Sequence, residues 1–67
     1  MPIVTITILP QSVEKKAEMA TVITNEINRI TAIPKDAIVI AFHELPAENF
    51  ATSGEMLSEK FRRSHQE

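Results

Sequence analysis

The residue with the clearest capacity for chemistry in this sequence is Pro2, which directly follows Met1. If Met1 is removed, the nitrogen of Pro2 becomes a free secondary amine, which is a titratable base held by a rigid ring. A proline at the first position of a strand also has a purely structural explanation, because its missing N–H breaks no ladder hydrogen bond there. The position of Pro2 alone leaves both interpretations open.

The other residues with chemical potential are few and scattered. The sequence has no cysteine and two histidines, His43 and His65, neither with a partner at a spacing typical of metal ligands. We therefore expect no disulfide, no metal and no cofactor. His43 is a candidate proton donor near a pocket, although a lone histidine is more often structural or solvated. Arg62 and Arg63 form the one local concentration of positive charge.

The length and charge of the chain limit the classes of function. A chain of 67 residues makes one domain with a marginal core, since only about 60% of the unfolded surface is buried at this size. With disulfides and metals excluded, oligomerisation is the expected remedy. The formal net charge of −2 and the lack of a basic stripe argue against a nucleic-acid partner. No apolar run approaches a membrane span and no secretion signal is seen, so we expect a cytoplasmic protein.

Two segments are predicted to be strands, on either side of one helix. Residues 3–9 are β-branched at nearly every position and alternate threonine with isoleucine or valine, which indicates a strand. Ser12 is a candidate helix N-cap, and from Val13 onward apolar residues recur at steps of three and four, as on one side of a helix. The helix is expected to end before Pro34.

The second predicted strand, residues 37–42 (AIVIAF), is apolar on both of its faces. A strand of this kind is typically buried on both sides. Strand, helix and strand form a β-α-β unit with parallel strands, in which the helix covers one face of the sheet. We therefore expect another copy of the chain to cover the second face, which includes Val39.

The last third of the chain predicts a short hairpin and a tail. Gly54, the only glycine, is expected in a turn that needs a positive φ angle, within a hairpin at residues 50–57. Residues 58–67 are polar and are predicted to be a frayed tail of a single domain spanning residues 1–67. The fold class is therefore α+β, a β-α-β unit with a short C-terminal hairpin.

Three segments resemble the 4-oxalocrotonate tautomerase family: PIVTITIL after the initial methionine, IPKDAIVI leading into the second strand, and ENFATSGEML in the hairpin. Their order and spacing carry the resemblance, which runs over residues 2–63. It implies a tautomerase-like fold assembled as a homohexamer, a trimer of dimers. It also implies a cofactor-independent isomerase that moves a proton in a small enolisable 2-oxo or 2-hydroxy acid.

Carried over by position, the resemblance implies roles for three residues. Pro2 matches the catalytic proline that acts as general base, Phe50 matches the aromatic wall of the pocket, and Leu9 matches a residue that lines the substrate cleft. Such a base must be neutral near pH 7, which requires an apolar pocket that desolvates the charged amine. Ile3 is expected to contribute to this pocket together with Leu9 and Phe50.

The sequence departs from the family pattern at two arginine positions. The best-known family members carry one arginine just before the helix-capping serine and another early in the second strand. Both bind the substrate carboxylate and draw electron density toward the developing enolate. This chain reads LPQS at the first position and has Val39 at the second. The departure removes a kind of electrostatic stabilisation that is often the largest catalytic contribution.

Several alternatives follow from this departure. Arg62 and Arg63 of a neighbouring copy are weak candidates to replace the missing arginines, and Val39 and His43 are weak candidates for substrate contacts. The chain is alternatively a catalytically impaired oligomeric scaffold or binding protein of the same fold. A related proline-dependent hydratase or dehalogenase ranks last, because those chemistries also depend on arginines and on a carboxylate near the pocket.

Overall fold

The computed structural model describes residues 1–66, which form four strands and two α-helices. In chain order they are β1 (Ile3–Ile8), α1 (Val13–Thr31), β2 (Val39–Glu44), β3 (Ala51–Thr52), β4 (Glu55–Met56) and α2 (Leu57–Gln66). Single turns of 3-10 helix precede β2 and β3, at Lys35–Ala37 and Ala47–Asn49. The β-α-β unit and the hairpin predicted from the sequence are both confirmed.

The strands β1 and β2 form a parallel sheet in which Ile3 lies opposite Val39 and Ile8 lies opposite Glu44. Because successive side chains of a strand point to opposite faces, this register sorts the residues into two sets. The set on the α1 side is half-buried and comprises Val4, Ile6, Ile8, Ile40 and Phe42. The other set forms a surface that we call the open face: Ile3, Thr5, Thr7, Val39, Ala41 and His43.

Both ends of α1 are closed by local hydrogen bonds. The hydroxyl of Ser12 accepts a hydrogen bond from the backbone N–H of Lys15 at 3.2 Å, which is the predicted N-cap. At the other end, Ala32 adopts a left-handed conformation with φ of 63°, and its N–H donates to the carbonyl of Asn28 at 2.9 Å. The helix therefore stops at Thr31, before the proline that was expected to end it.

The second strand begins two residues later than the sequence predicted, at Val39–Glu44 in place of 37–42. The difference has a local cause in the turn Lys35–Ala37. The carbonyl of Pro34 accepts a hydrogen bond from Ala37 N–H at 3.0 Å, which closes a 3-10 turn that includes Ala37, the first residue of the predicted strand. Only after this turn is the backbone free to pair with β1.

The C-terminal hairpin joins β3 and β4 in antiparallel register. Its turn places Ser53 at φ of 52° and Gly54 at φ of 78°. The predicted positive φ at Gly54 is thus confirmed, and Ser53 shares the left-handed conformation. Residues 46–66, which we call the arm, pack mainly against one another, with α2 lying on β4 and on the turn Ala47–Asn49.

The predicted frayed tail at residues 58–67 requires correction, because residues Leu57–Gln66 form α2. Glu67 lies outside the described residues. In α2, Glu59 pairs with Arg62 three residues later, a spacing that adds to helix stability. Polar composition concealed this pairing in the sequence. Neither α-helix of the described chain combines the length and the apolar character needed to cross a membrane.

One chain buries little of its own apolar surface. Among the described residues, Ile38 alone forms the buried hydrophobic core, at 8% exposure. The Cα radius of gyration is 15.9 Å, whereas a compact chain of this length has about 11 Å. The accessible area is 5033 Å², whereas a folded monomer of this mass exposes about 4,200 Å². The shape is therefore extended, at 48 × 24 × 16 Å.

Candidate functional site

Pro2 lies immediately before β1 and is held there by the sheet. Its carbonyl accepts a hydrogen bond from the backbone N–H of Val39 at 3.0 Å, which extends the β1–β2 pairing by one residue. Pro2 is half-buried, whereas Met1 is 83% exposed. The nitrogen of Pro2 is thus joined to a residue that projects into solvent, while its ring and carbonyl are fixed by the fold.

The side chains nearest to Pro2 in the sheet are apolar. Ile3 and Val39 are register partners at the start of the two strands, and both belong to the open face. Their exposures are 64% and 38%, so they form an apolar surface that the chain itself leaves uncovered. Of the residues predicted for the site, Pro2, Ile3 and Val39 are brought together.

Leu9 and Phe50 are not brought to Pro2 within one chain. Leu9 follows the last residue of β1, which places it about 23 Å along the strand from Pro2 at the usual rise per residue. Phe50 belongs to the arm, where its N–H donates to Ala47 O at 3.2 Å and its carbonyl accepts from Leu57 N–H at 2.8 Å. Both residues are half-buried at the far end of the molecule.

His43 is exposed on the open face, opposite Thr7 in the strand register. It lies four residues beyond Val39 on β2, which corresponds to about 13 Å along the strand. A direct role for His43 beside Pro2 of the same chain is therefore not supported by its position.

The two arginines of α2 are engaged within the arm. The Nε of Arg62 donates to Glu59 Oε2 at 3.1 Å, and Arg63 forms an ion pair with Glu55. Their side chains are 59% and 60% exposed, so both pairs face solvent. The described chain places neither arginine at the Pro2 end of the sheet.

A polar cluster at the far end of the sheet was missed by the sequence analysis. Glu44 accepts a hydrogen bond from the backbone N–H of Gln11 at 2.8 Å, and its other carboxylate oxygen accepts from Lys16 Nζ at 3.0 Å. These bonds, the Gln11 bond above all, hold the pKa of the Glu44 carboxyl below its usual value. The cluster ties the end of β2 to the loop that follows Leu9 and to the first turns of α1.

A groove of about 430 Å³ runs along one side of α1 and was also missed. It is lined by Ile8, Gln11, Lys15, Glu18, Met19, Val22 and Ile23. Because Ile8 is the last residue of β1, the groove lies at the end of the sheet opposite to Pro2. It is thus a surface feature separate from the Pro2 environment of the same chain.

No group of three or more histidine, cysteine, aspartate or glutamate side chains that could hold a metal occurs in residues 1–64, whose side chains the structure describes. The residues that the fold places around Pro2 are the apolar Ile3 and Val39.

Comparisons with known proteins agree with this geometry. The sequence profile of a family described as tautomerase enzyme matches residues 2–60. A solved 4-oxalocrotonate tautomerase isozyme from Methylibium petroleiphilum is 25% identical in sequence. The match covers 92% of this chain and 98% of the isozyme chain, with a TM-score of 0.87. The comparison with curated proteins gave no match.

Two further solved structures have the same fold. TomN, a 4-oxalocrotonate tautomerase homologue of the tomaymycin biosynthetic pathway, is 22% identical, with 98% of this chain and 100% of its own covered and a TM-score of 0.85. A heterohexameric 4-oxalocrotonate tautomerase from Chloroflexus aurantiacus is 25% identical, with 88% and 97% covered and a TM-score of 0.82.

Proposed function

The chain belongs to the tautomerase family, and from this premise we propose that it is an isomerase with Pro2 as general base. Its substrate is a small enolisable 2-oxo or 2-hydroxy acid. The observation that carries the proposal is the position of Pro2, fixed at the start of β1 by the hydrogen bond from Val39. Removal of the exposed Met1 gives Pro2 a free secondary amine at that position.

The proposed reaction is a proton shuttle along a conjugated acid. The neutral amine of Pro2 removes a proton from the enol hydroxyl, and the charged amine then returns that proton to a carbon of the conjugated system. A carbonyl forms as the carbon–carbon double bond shifts, and the enzyme ends with the proton count it started with. When another copy closes the site and excludes water, the apolar side chains of Ile3 and Val39 disfavour the charged amine, which keeps the base neutral near pH 7.

We further propose that the active site is completed between copies of the chain. One chain buries Ile38 as its core and leaves the open face uncovered, so association supplies the missing burial. Leu9 and Phe50 reach a substrate bound at Pro2 only if another copy contributes them. A homohexamer meets this requirement, and the heterohexameric neighbour from Chloroflexus aurantiacus supports a six-chain assembly.

The groove beside α1 is a second surface suited to association. One of its lining residues, Ile8, ends β1, and within residues 1–66 each strand of the β1–β2 sheet is paired along one edge only. Its rim carries one positive and one negative residue, Lys15 and Glu18. In a two-fold contact the same surface of both copies comes together. Because this surface carries both a positive and a negative residue, the positive residue of one copy can face the negative residue of the other.

One observation favours a second candidate function. The sequence contains three arginines, Arg29, Arg62 and Arg63, and each pairs with a glutamate. A site without a free arginine lacks the cation that best stabilises a developing enolate. The second candidate is therefore an oligomeric scaffold or binding protein that has the fold and little catalysis.

The test compares two forms of the protein that differ only at the first residue. Intact mass first establishes whether Met1 has been removed, and a form that retains Met1 serves as the matched control. Ketonisation of phenylenolpyruvate is then followed for both, at equal oligomer mass by light scattering. We expect turnover in the processed form alone. Equal rates place the base elsewhere, and no turnover in either form favours the scaffold.

A further inference from the structure

We infer that the site at Pro2 selects substrates that carry one carboxylate and an apolar group over dicarboxylates. This inference rests on the proposed function and adds the substrate class to it. Three observations carry it: the charge balance at the Pro2 end of the sheet, the engagement of the arginines, and the apolar surface beside Pro2.

The Pro2 end of the molecule is electrically balanced. Besides the start of β1, this end consists of the last turns of α1 and the turn that leads into β2. Their charged residues are two acids and two bases in neighbouring positions: Glu26, Arg29, Lys35 and Asp36. No excess positive charge is therefore present to offset a second carboxylate on a substrate.

The arginine at this end is already bound. Arg29 donates from Nε to Glu26 Oε2 at 2.8 Å and from Nη2 to Glu26 Oε1 at 3.2 Å. This two-point contact occupies the Nε–Nη2 edge of the guanidinium and sets the charge of Arg29 beside that of Glu26. The pair as a whole therefore offers no net positive charge to a second substrate carboxylate.

The arm has its positive charges in local contacts as well. Arg62 and Arg63 pair with glutamates of the arm, and Lys60 donates a hydrogen bond to Thr52 Oγ1. If another copy places its arm over Pro2, it brings three bases together with three acids, Glu48, Glu55 and Glu59. The arm therefore adds no net positive charge to the assembled site.

The surface beside Pro2 favours an apolar substrate group. Ile3 and Val39 present exposed aliphatic area directly next to Pro2. Covering this area with a phenyl or alkyl group removes apolar surface from water. Covering it with a second carboxylate strips water from a charge without giving it a partner, which is unfavourable. The same surface thus attracts one substrate class and penalises the other.

The test uses two enols that differ in charge. Phenylenolpyruvate has one carboxylate and a phenyl ring, and 2-hydroxymuconate has two carboxylates. We expect kcat/KM for phenylenolpyruvate to be higher by about tenfold or more, the factor that a hydrogen bond to a charged group typically carries. Higher kcat/KM for 2-hydroxymuconate overturns the inference alone. Absence of turnover of both enols overturns the proposed function, and the inference with it.

A substitution at Val39 tests the physical cause. Val39→Arg adds a cation at the start of β2, and Val39→Gln is the matched control with a long polar side chain and no charge. We expect Val39→Arg, and not Val39→Gln, to raise kcat/KM for 2-hydroxymuconate relative to phenylenolpyruvate by about tenfold. Added salt should reduce the gain. An unchanged ratio in an assembly of normal mass overturns the inference.

A second variant tests whether a cation of the arm binds the second carboxylate of the substrate. Arg62→Ala removes one arm cation, and Arg62→Lys, which keeps the charge at the same position, is the matched control. We expect neither variant to change the ratio of the two kcat/KM values. A selective loss of 2-hydroxymuconate turnover in Arg62→Ala would show that the arm binds the second carboxylate, and would overturn the inference.

Discussion

At the scale of single residues, the chemistry of Pro2 depends on one covalent bond. While Met1 is attached, the Pro2 nitrogen is an amide without a basic lone pair. Once Met1 is absent, the same atom is an amine in an apolar setting, fixed by the hydrogen bond between Pro2 and Val39. For the proposed role of Pro2, the fold thus fixes the position of the nitrogen, and removal of Met1 is the step that makes it basic.

Substitution of Pro2 separates the amine from the ring. Pro2→Ala, after removal of Met1, leaves a primary amine at the same backbone position, so we expect reduced but measurable ketonisation of phenylenolpyruvate. Chemical acetylation of the processed wild-type protein removes the lone pair and should abolish turnover while the oligomer stays intact. Full activity after complete acetylation, verified by mass, would contradict the role of Pro2.

Glu44 leads to a prediction about acid stability. Its folded pKa lies below the ordinary glutamate value of about 4.3. Its contribution is therefore present above that ordinary value and is lost as the pH falls through the folded pKa. We expect Glu44→Gln to lower the free energy of unfolding at pH 7 and to differ less from wild type at pH 3. Urea unfolding at one fixed protein concentration measures both. A difference that is independent of pH would exclude this explanation.

At the scale of secondary-structure elements, local sequence patterns predict most of the β-α-β unit. Alternating β-branched residues predict β1, and a serine cap with helical spacing predicts α1. The start of β2 was misplaced because Ala37 and Ile38 continue the apolar run of the strand, whereas the hydrogen bond from Ala37 N–H to the Pro34 carbonyl holds Ala37 in a 3-10 turn. The helix α2 was missed because its stabilising pairs are charged, and a segment rich in charged residues was interpreted as a solvent-exposed tail.

The stability of the hairpin is expected to depend on one residue of its turn, Gly54. Gly54 has φ of 78°, and a side chain at this position would meet no atom within 4 Å. The cost of Gly54→Ala is therefore conformational, and we expect a loss of about 1 kcal/mol in the free energy of unfolding. Gly54→Asn should lose less, because asparagine tolerates the left-handed region better. Urea unfolding at matched concentration compares them, and an alanine variant as stable as wild type would contradict the expectation.

At the scale of the whole molecule, the sequence indicates a strand that is apolar on both faces more directly than it indicates the site. The two-sided apolar character of β2 is local and shows in the sequence directly. By contrast, the contacts of Glu44 with Gln11 and Lys16 span 33 and 28 residues, and no local sequence pattern predicts them. The same limit holds for Leu9 and Phe50, whose proposed role depends on a second copy.

Assembly gives the prediction that belongs to this scale. We expect light scattering to show six copies of the 7.5 kDa chain. Ala41→Asp places a charge in the middle of the open face and should reduce the mass of the assembly, because a carboxylate buried without a partner is costly. Asn25→Asp adds the same charge on the exposed part of α1 and is the control. A stable folded monomer of wild type would remove the basis for a shared site.

The extended shape of the chain has a consequence for inheritance. Pro2 lies at one end of the sheet, and the arm with Phe50 continues from the other end, in a chain 48 Å long. If a working site combines the Pro2 end of one copy with the arm of another, mutations can remove either contribution independently. After gene duplication, one product can lose Pro2 and the other can lose Phe50. An assembly that contains both products still has sites at which an intact Pro2 meets an intact Phe50. Such an architecture allows two damaged genes to sustain one activity, at a reduced number of sites per particle.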